Sequence, residues 1–150
     1  MKQYIGTKMI EAKPMNRGDY NKYRGWTIPE DENPADEGYL VRYSDGYESW
    51  SPKKQFEEAY REYDSTKLAS TAILMNSDDY KERFKAEYNQ LVIRYKGLKA
   101  MLDKWDNGTL QFKPTCPRST YNMQIKAMID YIAVLEARAV MEDIELDIVK

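Results

Sequence analysis

Between Tyr20 and Lys54 the chain gathers aromatic rings and fixed cations in a set suited to capturing a planar anion. Tyr23, Arg24 and Trp26 stand together, and Tyr39, Arg42, Tyr47, Trp50 and Lys53 follow. Rings stack on a nucleobase, at roughly 1–3 kcal/mol per base, and a guanidinium offers paired donors to a phosphate. The expected division of labour has Arg24 and Arg42 on phosphate, with one or more of Tyr23, Tyr39, Tyr47 and Trp50 stacked on a base. A second reading stands beside it: Trp26 and Trp50 as core residues, and Arg24 and Arg42 as members of surface ion pairs. For Arg42, which sits among apolar strand neighbours, either a charged partner such as Glu48 across a hairpin or a bound phosphate would supply the reason. Should this cluster not be the pocket, the next place to look is near Tyr88, Arg94 and Tyr95.

Other chemistry finds little footing. The chain has no histidine, so Ser–His and Cys–His nucleophile systems are out of reach, and acid–base work would fall to carboxylates, Lys or Tyr. The single cysteine, Cys116, lies between Thr115 and Pro117 with no evident activating partner. One Cys and no His cannot assemble the usual zinc ligand sets. The acidic run Glu30-Asp31-Glu32 with Asp36-Glu37 lacks the spacing and central Gly of an EF-hand loop. The glycines build neither a Walker sequence nor a dinucleotide fingerprint. Adjacent carboxylates such as Glu57 and Glu58 point to different helix faces, unlike a glycosidase pair. No catalytic residue, metal or cofactor is therefore expected.

Composition narrows the partners. Thirteen tyrosines and three tryptophans accompany 42% hydrophobic and 32% charged residues, and no apolar run approaches the roughly 18 residues of a membrane span. A net charge of −2 disfavours duplex nucleic acid as a partner, because phosphate neutralisation needs clustered Lys and Arg. A lone cysteine fits a reducing compartment, so the cytoplasm is the expected location.

The elements that must position these groups form an α+β chain. It is a small β-hairpin-containing N-terminal module (1–63), a linker (64–76), and a long antiparallel two-helix hairpin (77–150). Residues 4–15 suggest a strand and Arg17 to Tyr23 a brief helical turn, and 27–38 an acidic connecting loop. Gly38 to Tyr43, the turn Ser44-Asp45-Gly46 and Tyr47 to Trp50 predict a β-hairpin. Ser51 and Pro52 fit the cap and first position of a helix reaching Tyr63. Phe84, Tyr88, Leu91, Tyr95, Leu98, Leu102 and Trp105 recur at spacings of three and four, ending near Asn107-Gly108. Tyr121, Ile125, Met128, Ile132, Leu135 and Ala139 make a second stripe, and two such helices joined by a short loop should pair antiparallel. Two long apolar stripes also predict a homo-oligomer.

Tyr4 to Lys8, Met15 to Trp26, and Gly38 to Pro52 resemble a family of small phage accessory proteins. Arg24-Gly25-Trp26, Asp45-Gly46, Trp50 and Phe56 are similar to the elements of the phage Thoeris anti-defence sponges of the second type. The chain departs from that pattern in its acidic 30–37 loop and its Lys53-Lys54 pair. The resemblance implies a bacteriophage protein that binds a nucleotide second messenger, of the cyclic ADP-ribose or cyclic oligonucleotide type used by Thoeris and CBASS defences, without cleaving it. The second half resembles another phage helical-hairpin family, with Phe84 to Trp105 and Pro117 to Leu146 as its arms, which implies assembly into oligomers. Two other classes remain: a protein-interaction module that binds and inhibits a host protein, and an unusual phosphodiesterase using Lys, Tyr and carboxylates.

Overall fold

A computed structural model describes residues 1–146; residues 147–150, the last of the expected hairpin segment, lie outside the described residues. The chain divides into two compact units, Met1–Glu62 and Tyr63–Lys150.

The first unit is a three-stranded antiparallel sheet, β1 (Glu11–Pro14), β2 (Gly38–Arg42) and β3 (Glu48–Pro52), in the order β1-β2-β3, with helices α1 (Arg17–Arg24) and α2 (Lys53–Ala59). The central strand carries the core: Leu40 and Val41, pointing to opposite faces, are both buried, as is Tyr20 from α1. The hairpin turns where expected, with Tyr43 and Tyr47 closing it (N to O, 2.9 Å) and Gly46 at φ 83°, a conformation that favours glycine.

Two expectations are corrected, and the short strand expected within residues 4–15 lies at Glu11–Pro14. Its register runs from Glu11 opposite Arg42 to Pro14 opposite Tyr39, and beyond Arg42 the partner strand turns away, so nothing pairs residues 4–10. The helix after the hairpin starts at Lys53 and ends at Ala59, because Ser51 and Pro52 are taken up by pairing with Tyr39 and Gly38 and leave no side-chain cap. The acidic loop does more than connect. Glu32 reaches back to α1, accepting from Arg17 Nε at 2.7 Å and Asn21 Nδ2 at 2.9 Å, while Arg17 N and Gly18 N donate to Asp36 O and Pro34 O, each at 2.9 Å.

The second unit is built on α4 (Tyr80–Asp106) and α5 (Arg118–Met141), which pack against each other. Asp79 caps α4 by accepting from Lys81 N at 2.8 Å. Phe84, Leu135, Ala139 and Ile144 form the buried cluster, with Tyr88, Leu91 and Leu146 against it. The expected second stripe is the packed one, since Tyr121, Ile125, Met128 and Ile132 are half-buried and lead into Leu135. Toward the helix–helix loop, Trp105 meets Tyr121 edge-on at 5.9 Å, and Arg118 pairs with Asp106 at 2.9 Å. Residues 64–76 hold two helical turns, a 3-10 turn Leu68–Thr71 and α3 (Ala72–Met75), which lie along α4.

Candidate functional site

In the first unit the rings and cations of residues 20–54 are engaged with one another and with carboxylates. Arg42 Nε donates to Glu48 Oε1 at 2.9 Å, directly across the β2–β3 register, and Glu11 lies 3.5 Å away on the other side. Tyr23 OH donates to the same Glu48 at 2.9 Å. Hydrogen bonds from Arg42 and then Tyr23 draw the Glu48 carboxyl below its usual range. Lys53 Nζ binds Glu37 at 2.8 Å, and Tyr39 OH donates to Glu57 at 3.0 Å while its ring stacks on Phe56 at 4.0 Å. Trp50 is half-buried, donates Nε1–H to Met15 O at 2.8 Å, and carries the Arg17 guanidinium 5.0 Å above its ring. Arg24 lies 4.9 Å over Trp26, which also meets Tyr20 edge-on; Tyr47 is exposed beside Tyr43.

A cleft of about 610 Å³ does open beside α1, but of the expected set only Trp26 lines it. Its polar wall includes Asp19 as well as Lys22. Asp19 and Lys22 cancel there, which leaves an anionic guest no net attraction.

The second unit holds a different arrangement. Arg83, Glu87, Gln90 and Arg94 recur on α4 at spacings of four, three and four, which puts them on one face along about 16 Å of helix. With Leu91, Met75 of α3 and Tyr131 of α5 they line a cleft of about 390 Å³. Arg83 is steadied at one end by donating to Ser77 O at 2.7 Å. Gln90 is held by Thr71 Oγ1 at 2.9 Å and so ties α4 to the preceding 3-10 turn. Tyr131 OH donates to Glu87, and that bond, with burial, raises the Tyr131 pKa. Arg94 at the other end is exposed, with no hydrogen bond or ion pair among the described residues.

Two guanidiniums at the ends, an aromatic ring between them and an apolar floor suit a planar molecule carrying negative charge. Glu87 and the Gln90 carbonyl add acceptors for donor groups on the same guest. Among the described residues no group of His, Cys, Asp and Glu is placed to hold a metal ion, and no helix is long and apolar enough to cross a membrane. Of the residues named from sequence as the second place to look, Arg94 lines the cleft; Tyr88 instead donates to Glu136 at 2.9 Å. Arg83, Gln90 and Tyr131 were missed, although the polar four-three-four spacing on α4 was there to be read.

Fold and cleft together define a helical hairpin with an open, arginine-lined cleft along α4. A family model described as Sequestin matches residues 78–141, which run from the start of α4 to the end of α5. No curated protein and no solved structure matches the chain.

Proposed function

We propose that the chain is a phage anti-defence sponge, which captures a host nucleotide immune signal in the α4–α5 cleft and holds it uncleaved. Sequestins are anti-defence sponges that bind such a signal. The observation that carries the reading is the overlap of likeness and chemistry: Arg83, Glu87, Gln90, Leu91, Arg94 and Tyr131 all fall inside the matched segment. Affinity is what such a site offers a sponge, because its arginines and ring can bind phosphate and base. The aromatic cluster of the first unit serves the same reading as scaffold, its Arg42 and Lys53 being matched by Glu48 and Glu37.

The test is a thermal-shift panel of cyclic ADP-ribose isomers and cyclic dinucleotides on the purified chain. A ligand at a hundred times its dissociation constant adds about 2.7 kcal/mol to stability. The bound nucleotide, released by denaturing the protein, should be recovered intact. Recovery of a linear product would favour a phosphodiesterase, and no shift with any nucleotide would favour an inhibitor of a host protein.

A further inference from the structure

We propose that α5 carries a second seam, on the face turned away from α4, along which a second copy of this chain lies antiparallel to form a two-fold dimer. The inference does not depend on what the cleft binds.

The packed stripe of α5 leaves the opposite side of the helix apolar as well. Met123 is 74% exposed, Val134 55% and Met141 81%, with Ala127 and Ala137 exposed between them. The inner stripe of α5 is packed toward α4, and this second stripe is left facing solvent. The outer residues follow a four-three-four-three-four spacing, Met123, Ala127, Asp130, Val134, Ala137 and Met141. That is the seam of a coiled coil rather than a diffuse greasy patch, so the partner it fits is another helix with the same repeat. It runs for about 27 Å.

Turned over about a two-fold near Ile132, the stripe meets itself residue for residue: Met123 against Met141, Ala127 against Ala137, Asp130 against Val134. The alanines allow close approach, and the methionines, being flexible, fill the wider ends. The flanks also agree in charge. Gln124, Tyr131 and Arg138 border one side, Lys126, Ala133 and Val140 the other. In the antiparallel pair Arg138 faces Gln124 and Lys126 faces Val140, so no two like charges are opposed across the flanks. Asp130 is the one charge in the seam, and Lys126 Nζ lies 2.7 Å from it within the same helix. Tyr131, which lines the cleft, borders the seam next to the two-fold, so pairing brings two clefts side by side.

Sedimentation of the full chain over a range of micromolar concentrations tests this. The parent should be a dimer, and Val134→Asp should be a monomer with unchanged helical circular dichroism. Should that variant lose helix, Met141→Glu, at a position already open to solvent, replaces it. Asp130→Leu should tighten dimerisation by about tenfold or more, because it substitutes an apolar group for an ionised one at a buried seam position. A parent that stays monomeric, a Val134→Asp variant that dimerises like the parent, or an Asp130→Leu variant that gains nothing would each overturn the proposal. Nucleotide thermal shifts on the monomeric variant separate this outcome from the fate of the sponge reading.

Discussion

Arg42 and Glu48 stand opposite each other in the β2–β3 register, guanidinium to carboxylate at 2.9 Å, and Tyr23 donates to the same carboxylate. An arginine among apolar strand neighbours thus has its partner inside the sheet. Replacing Arg42 by Ala should leave nucleotide affinity unchanged and cost little stability, since the guanidinium is exposed and Tyr23 still donates to the half-buried Glu48. Calorimetric titration beside a melting curve checks both. A tenfold loss of affinity with the fold retained would return the pocket to the first unit.

Among the described residues no carboxylate holds Arg94, and its effect should be the reverse. Arg94→Ala should weaken binding by about tenfold or more with circular dichroism unchanged, as charge-assisted hydrogen bonds contribute about 1.5–3 kcal/mol. Arg94→Lys should recover only part of the loss, because an ammonium lacks the paired donors of a guanidinium. Equal affinity in all three proteins would remove Arg94 from the site.

Leu135 is fully buried between Phe84, Ala139 and Ile144. Truncation to Ala should destabilise the hairpin by about 2–5 kcal/mol through lost transfer energy and the cavity left behind. Trp105 is the tryptophan of the second unit, so a fluorescence melt of a Trp26→Phe/Trp50→Phe background would follow that unit alone. A melt that does not move on adding Leu135→Ala would show that this cluster is not what holds α5 to α4.

Glu32 gives the first unit a defined acid limit. Hydrogen bonds from Arg17 and then Asn21 hold its carboxyl down to about 2. A group whose pKa is lower in the folded state stabilises the fold above its unfolded value, about 4.3 for Glu, and loses that contribution as the pH falls toward the folded value. Denaturation midpoints should therefore fall between about pH 4.5 and pH 2, and more steeply for the parent than for Glu32→Gln. Parallel pH profiles for the two would show that the loop carboxylate is not coupled to folding.

Some of this was legible in the residues and some was not, for reasons that differ by element. The β2–β3 hairpin was readable because alternation and Asp45-Gly46 act locally, and α4 because its stripe repeats over many turns. Residues 64–76 were not, since the run from Leu68 to Met75 is too short to show a period and takes its form by lying against α4. Glu32 read as solvated charge because its partners lie 15 and 11 residues back and meet it only after α1 has formed. The inner stripe of α5, Ile132 included, was legible because large apolar residues fill it, whereas the outer one is diluted by Ala127, Asp130 and Ala137 and shows no such contrast in the sequence.

Three tyrosines lace α4 to α5, each giving its hydroxyl hydrogen to a glutamate of the other helix or its C-terminal turn: Tyr80 to Glu142, Tyr88 to Glu136, Tyr131 to Glu87. Each tyrosine is pushed above its ordinary pKa, by the glutamate bond first for Tyr80 and Tyr131 and by burial first for Tyr88. A raised folded value means that the contribution is whole below the unfolded tyrosine pKa, near 10, and is lost only as the pH climbs through the folded one. With no histidine anywhere in the chain, the tyrosine side of these rungs keeps its hydroxyl proton well past neutral pH.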